Sequence, residues 1–361
     1  MIHKQFTSNI ISWYYSNKRA LPWRETTNPY FIWISEIILQ QTRVSQGLPY
    51  YQKFVAAFPT VQDLANANEQ DVLSVWQGLG YYSRARNMHK CAKVISAEFN
   101  NAFPESFEKL LKLPGIGPYT AAAISSLAFS NPTPVVDGNV YRVLARVFGI
   151  ENNIADAKSF KLFFDLSAKL IDPKEPGTYN QGVMELGATV CSPQNPDCAY
   201  CPVEEVCFAR TNKKQKELPV KIKKKRNTNR YFTYLVLKQN GKLAMIKREG
   251  KGIWEGMYEF YLIENEAQTE INEISSSVLS HLLEKGCVIE QEEQLPKHIL
   301  SHQTLYSSFI KINLKTGNDW NKFLAENGLV LYSQMEIEAL PKPVLITNYL
   351  NSVSKSINLQ D

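Results

Sequence analysis

Residues 113–120 read Leu113-Pro114-Gly115-Ile116-Gly117-Pro118-Tyr119-Thr120. They join two stretches, 105–112 and 118–129, whose apolar residues recur at helical spacing. Two glycines one residue apart allow a tight hairpin with positive φ, and a proline suits the first turn of the following helix. Leu110, Leu111, Leu113, Ile116, Ala121 and Ile124 frame this hairpin with apolar side chains. Backbone N–H groups left open at such a helix N-terminus suit a phosphate oxygen. Gly115, Gly117 and Thr120 are therefore the expected backbone contacts. An ordinary interhelical turn is the plainer alternative. The apolar frame and the charge balance favour a helix–hairpin–helix that holds DNA without reading its sequence.

The charge balance is uneven along the 361 residues. The net charge is +5, with 28 Lys/Arg against 19 Asp/Glu up to Arg230 and 12 against 16 beyond it. A basic first part facing a polyanion fits that asymmetry. Upstream and downstream of the hairpin, residues 29–46, 60–77, 83–99 and 138–148 also carry helical spacing. The stretch 211–230 holds nine basic residues, one acid and a proline, and reads as an exposed linker. Beyond it come β-type runs at 231–238, 242–247, 257–263 and 306–314, with helical stretches near 269–285 and 341–353. The expected organisation is a helical domain over 1–210, a basic linker over 211–230 and an α+β domain over 231–361. No signal peptide precedes Met1-Ile2-His3 and no apolar run is long enough to span a membrane, so an intracellular, cytoplasmic chain is expected.

Cys191, Cys198, Cys201 and Cys207 form the pattern C-x6-C-x2-C-x5-C within a loop rich in turn formers. Four thiolates this close fit a zinc ion or an iron–sulfur cluster, whereas two disulfides would be unusual inside a cell. A single Cys-x-x-Cys knuckle with unequal arms favours the cluster over zinc. Cys91 and Cys287 are most simply buried thiols.

Two carboxylates carry the remaining chemistry. Glu36 lies within Phe31-Ile32-Trp33-Ile34-Ser35-Glu36-Ile37-Ile38-Leu39, almost surrounded by apolar residues. Burial there raises a carboxyl pKa and lets it carry a proton near neutrality. The alternative is a glutamate on a narrow polar stripe with Gln40. Asp137, in Val135-Val136-Asp137-Gly138-Asn139, stands where a helix N-cap belongs, and capping alone would explain an isolated aspartate. A protonated acid paired with an ionised carboxylate is what glycosidic bond cleavage requires. An N-glycosidic bond in DNA poses the same problem, with a base as leaving group.

Taken together, these residues resemble the helix–hairpin–helix DNA glycosylase superfamily with an iron–sulfur loop. Within it, the chain is similar to the MutY-type adenine DNA glycosylase family. Leu21-Pro22-Trp23-Arg24, residues 35–42 (SEIILQQT), residues 78–86 (GLGYYSRAR), the hairpin, Val136-Asp137-Gly138-Asn139-Val140 and the cysteine loop appear in the family's order. The resemblance implies a mainly α glycosylase domain with a [4Fe–4S] cluster and an α+β Nudix-like C-terminal domain. It implies excision of adenine opposite 8-oxoguanine or guanine in double-stranded DNA, as one step of base excision repair by a monomer. Glu36 would protonate the adenine and Asp137 would stabilise the oxocarbenium ion, with Tyr119 and Asn139 supporting it. Trp23, Arg24 and Glu185 would line the extruded base's pocket. Gln41 and Tyr81 would wedge the duplex at 8-oxoguanine. Tyr119 stands where bifunctional relatives carry a Schiff-base lysine, which implies a monofunctional enzyme leaving an abasic site.

In the C-terminal part, residues 252–260 (GIWEGMYEF) resemble the family's glycine–aromatic strand. The acidic helix motif of a Nudix hydrolase is missing. His298-Ile299-Leu300-Ser301-His302 resembles a Phe-Ser-His loop with leucine in place of phenylalanine, and Ser301 and His302 would contact the oxidised base. The basic linker is where replication or repair proteins would dock. The readings of another class are a bifunctional pyrimidine glycosylase, disfavoured by Tyr119, and a non-catalytic lesion sensor, disfavoured by having both carboxylates.

Overall fold

The computed structural model describes residues 2–222, 228–250, 252–268, 274, 277–300, 302–315 and 318–357. The chain divides into two compact units. One comprises Met1–Ala67 and Asn87–Lys224, and the other Asn68–Arg86 and Lys225–Asp361.

The helices before the sheet are α1 (Ile2–Asn17), α2 (Pro29–Ile38), α3 (Val44–Ala57), α4 (Val61–Asn66), α5 (Glu69–Val75) and α6 (Ser83–Phe99). They continue as α7 (Phe107–Leu110), α8 (Pro118–Phe129), α9 (Gly138–Phe148), α10 (Ala157–Leu170), α11 (Pro176–Thr189) and α12 (Phe208–Thr211). In the first unit α11 is the central element, packed on α1, α8 and α9. Phe6, Ile10, Val143, Leu144, Phe163, Val183 and Leu186 fill the core between them and are at most 1% exposed. Each such side chain contributes about 1.5–3 kcal/mol on burial.

Local chemistry explains the ends of the elements that carry the site. Pro29 opens α2 while the Asn28 side chain accepts from the Tyr30 N–H. Asp137 caps α9, accepting from the Asn139 and Val140 N–H groups. Gly149, with φ 68°, closes α9 in the left-handed conformation. The expected helix over 29–46 is broken after Ile38, and a separate helix, α3, runs to Ala57. The break lies in the turn through Gln41, whose φ is 58°. The stretch 60–77 is also two short helices, α4 with a Thr60–Asp63 capping box and α5 after Asn68.

The second unit contains a seven-stranded sheet: β1 (Thr228–Gln239), β2 (Lys242–Lys247), β3 (Tyr258–Glu259), β4 (Tyr261–Asn265), β5 (Val288–Ile299), β6 (Gln303–Asn313) and β7 (Val330–Tyr332). The order is β3-β2-β1-β6-β5, with β4 paired to β1 and β7 to β2. β1 and β6 run parallel in register from Thr228–Gln303 to Lys238–Asn313, and the other pairs are antiparallel. Helices α13 (Ser277–Glu284) and α14 (Asn318–Glu326) contribute Leu279, Leu282, Phe323 and Leu324 to a core with Leu235, Leu237, Ile310 and Ile312 of the sheet. On the opposite face Tyr349, from the last helix α16 (Val344–Ile357) after the short α15 (Gln334–Ala339), stacks on Phe309 with 4.1 Å between centroids.

The stretch expected as an exposed linker begins as part of the first unit. Leu218 is 2% exposed, its carbonyl accepts from Arg146 Nε, and the Val220 carbonyl accepts from the Ile154 N–H. Residues 223–227, the most basic part, lie outside the described residues. Among the described residues no helix is long and apolar enough to cross a membrane.

Candidate active site

One cleft of the first unit, about 490 Å³, is bordered by Trp23, Arg24, Glu36, Tyr119, Asp137, Asn139 and Glu185. That size suits a small organic ligand. Seven residues singled out in the sequence, from five different elements, thus meet at one place.

Glu36 projects from α2, a helix buried from Ile32 to Ile38. It is 8% exposed, and burial pushes its carboxyl up to about 7. The Tyr119 hydroxyl donates to Glu36 Oε2 and pulls in the other direction, as a donor to a carboxylate must. Asp137 adds a like charge that raises Glu36 further. Tyr119 stands in the first turn of α8, and burial followed by the two carboxyls pushes its phenol well above the usual range. Its hydroxyl also lies 3.7 Å from Met184 Sδ.

Asp137 is held by three donors. Oδ1 accepts the N–H groups of Asn139 and Val140 at 2.9 and 2.7 Å, and Oδ2 accepts Asn139 Nδ2 at 2.8 Å. Burial pushes its carboxyl up, against the pull of these donors and of the Arg142 charge. The Arg142 guanidinium donates to Asn139 Oδ1 at 2.8 Å and to the carbonyls of Cys191 and Gly187 at 2.7 Å each. Its contact with Asn139 fixes which way the amide points, so that Nδ2 faces Asp137. Arg142 was not singled out in the sequence. Its position one helical turn beyond Asn139 is the signal that would have found it.

At the other wall, Glu185 is 1% exposed and clamped by two arginines. Arg19 donates through Nε and Nη2 at 2.7 and 2.6 Å, and Arg24 through Nη2 at 2.6 Å. Burial works to raise this carboxyl, but the hydrogen bonds and charges of Arg19 and Arg24 outweigh it and hold it at about 2. Arg19 is the second residue missed in the sequence. Trp23 is 6% exposed and meets the Tyr51 ring edge-on at 5.0 Å, so it serves both the core and the cleft wall.

The hairpin places Gly115, Gly117 and Pro118 at the exposed surface over buried Leu113 and Ile116. Only Gly115 has a positive φ, 74°, and a Cβ there would lie 2.6 Å from Asn87 Cβ. Gly117 caps α8 with φ −90°, so its value is an uncovered backbone. Thr120 is 1% exposed, and its hydroxyl accepts from Gln40 Nε2 at 3.4 Å. Gln41 is exposed after α2 in a left-handed conformation. Tyr81, in the second unit, is 43% exposed with φ 50°. Non-glycine residues in this region of φ are uncommon and concentrate at functional sites. His302 is exposed in the hairpin between β5 and β6, its carbonyl accepting from the Thr228 N–H. Ser301 lies outside the described residues.

The cofactor expectation is corrected. Cys191, Cys198, Cys201 and Cys207 border one small cavity beside Val143 and Arg146. Yet among the described residues no group of three or more His, Cys, Asp or Glu side chains is placed to hold a metal ion. Cys191, Cys201 and Cys207 pack against the core of the first unit, and burial pushes the Cys201 thiol up to about 12 and that of Cys207 up as well. The described residues therefore offer no site for the [4Fe–4S] cluster that the cysteine spacing led one to expect, nor for zinc. All six cysteines are free, and Cys91 and Cys287 are buried.

Residues 34–167 match the HhH-GPD superfamily of base excision DNA repair proteins, and residues 233–352 match the NUDIX domain. A thermostable thymine-DNA glycosylase of known structure aligns with 58% of this chain and 97% of its own, at 28% identity and a TM-score of 0.54. An endonuclease III–DNA complex at 22% identity and TM-score 0.50 shares the fold, over 57% of this chain and 94% of its own. The helical unit, its hairpin and these family matches therefore define a DNA glycosylase of this superfamily, here joined to a Nudix domain. An adenine DNA glycosylase of Buchnera aphidicola from Schizaphis graminum is 39% identical over 71% of this chain and 74% of its own length. That of Buchnera aphidicola from Acyrthosiphon pisum is 32% identical over 96% and 98%. The human adenine DNA glycosylase is 44% identical over 59% of this chain and 41% of its own length. The chain belongs to the adenine DNA glycosylase family.

Proposed function

We propose that this enzyme removes adenine paired with 8-oxoguanine or guanine in duplex DNA and leaves an abasic site. The observation that carries the reading is the Glu36 carboxyl, buried, raised to about 7 and hydrogen-bonded by Tyr119 in the cleft that also holds Asp137. An extruded adenine enters between Trp23 and the Arg24–Glu185 pair. Glu36, in its acid form, gives its proton to N7 as the bond from N9 to the sugar breaks. That protonation turns adenine into a neutral leaving group, a step worth about 10²–10⁴ in rate for a well-placed acid. Asp137 faces the oxocarbenium ion as a carboxylate, with Asn139 and its helix N–H groups holding the charge in place. Water then adds to the sugar carbon and gives its proton to the Glu36 carboxylate, which restores the acid form.

Tyr119 supports this centre and supplies no amine, so no Schiff base forms and the strand stays intact. Exposed Gly115 and Gly117 take the DNA backbone, with Thr120 buried beneath them. Gln41 and Tyr81 wedge the duplex, and Ser301 and His302 read the oxidised base. Extrusion costs a few kcal/mol, which these contacts offset.

The test is single-turnover base release from a duplex with adenine opposite 8-oxoguanine, with and without alkali. Strand scission only after alkali is expected from the wild type. Glu36→Gln should lose at least about 10²-fold in release while duplex affinity survives. Scission without alkali would refute the monofunctional reading, and unchanged release by Glu36→Gln would remove that residue from its role.

A further inference from the structure

We propose that Arg84 is a positioning residue that sets the Tyr81 ring for insertion into the duplex, an inference that rests on reading Tyr81 as a wedge. Tyr81 ends a turn whose backbone is left-handed at three places, with φ 94° at Gly78, 79° at Gly80 and 50° at Tyr81 itself. A turn of this kind needs side-chain ties to stay in one conformation, and it has them. The Gly80 carbonyl accepts both Trp76 Nε1 at 3.0 Å and Arg84 Nη2 at 3.2 Å. The Gly78 N–H donates to the Tyr82 hydroxyl at 3.1 Å.

These ties place one planar cation against two rings. The Arg84 guanidinium carbon lies 5.2 Å from the Trp76 ring centroid and 5.4 Å from that of Tyr81. Trp76 is 1% exposed, whereas Tyr81 is 43% exposed. A fixed indole thus anchors the guanidinium, and the guanidinium holds a ring that otherwise projects into solvent. Cations over aromatic faces attract most strongly when partly desolvated, and Arg84 is desolvated enough that burial lowers it to about 10. A lysine could supply the charge. It has no flat face to engage both rings while donating to Gly80, so Arg84→Lys is a stringent variant here. Restricting the ring before DNA arrives lowers the ordering cost of inserting it.

The experiment follows extrusion by stopped-flow fluorescence of 2-aminopurine at the target position opposite 8-oxoguanine, using the whole chain. Arg84→Met, Arg84→Lys, Tyr81→Ala and the Arg84→Met/Tyr81→Ala double variant are compared, and melting midpoints report folding. Arg84→Met and Arg84→Lys should each slow extrusion about ten-fold. Their affinity for undamaged duplex should change less than about two-fold, because the guanidinium faces rings and not phosphates. In the Tyr81→Ala background, Arg84→Met should add less than about two-fold. Equal slowing in that background, full extrusion by Arg84→Met, or full rescue by Arg84→Lys would overturn the positioning role. Tyr81→Ala that extrudes at the wild-type rate would instead remove the wedge reading, and this proposal with it.

Discussion

At the residue scale, the cleft holds two carboxyls whose surroundings push them apart. Glu36 is raised to about 7 by burial, while Glu185 is held at about 2 by two arginines despite its burial. For catalysis the acid form of Glu36 is the active one, so base release should fall as pH rises through about 7. Because the Tyr119 hydroxyl lowers Glu36, Tyr119→Phe should move that descending limb to higher pH. A limb that stays in place or moves lower in a pH–rate profile would show that another group governs it. Glu185 acts on stability with the opposite sign. Its folded pKa lies below the unfolded value of about 4.3, so its contribution is complete above that value. It is lost as pH falls toward about 2. The melting midpoints of wild type and Glu185→Gln should therefore differ most near neutrality and converge in acid. A gap that ignores pH would assign the loss to packing.

At the element scale, the approach of α11 to the start of α9 decides whether the cap geometry survives. A Cβ on Gly187 would lie 2.6 Å from Asn139 Cβ and 3.1 Å from its Cα. Gly187→Ala should displace Asn139 and loosen its grip on Asp137, cutting base release more than ten-fold and destabilising by about 1–3 kcal/mol. Wild-type release with a lowered melting midpoint would show that the cap tolerates the shift. Much of this was legible in the chain. Pro118 and Asp137 announced α8 and α9 at their observed boundaries, and the apolar run around Glu36 announced its burial. What escaped the sequence has physical reasons. β5 carries Glu290, Glu292, Glu293 and Pro296, residues that suit an exposed sheet edge and disguise its twelve-residue strand. Arg19 and Arg142 look like surface cations until the fold turns them onto Glu185 and Asn139. The cysteine loop misled in the other direction, because spacing reports what four thiols could do and not how they pack.

At the scale of the whole molecule, the basic excess lies before Tyr231 and the acidic excess after it. Affinity for duplex should fall steeply and linearly in log–log form with added salt, with a slope near 0.9 for each phosphate neutralised. About six such contacts would cost roughly 10³-fold in affinity between 50 and 200 mM. Glu36→Gln should keep the wild-type slope. A flat salt response measured by fluorescence anisotropy would mean that binding does not depend on backbone phosphates.

The membership of Asn68–Arg86 in the second unit also has a consequence for biosynthesis. Within that unit Arg86 donates to the Glu255 carbonyl and pairs with its carboxylate at 3.3 Å. On the ribosome, however, this segment appears roughly 140 residues before the first residue of the sheet it joins. At about 5–20 residues per second, it waits on the order of 10–30 s for its partners. The first unit does not include this segment, so Met1–Ala67 and Asn87–Lys224 can pack together before the sheet is made. The nascent chain leaves Asn68–Arg86 outside that unit until its own partners follow, and the Arg86–Glu255 pair forms only once Glu255 has been made.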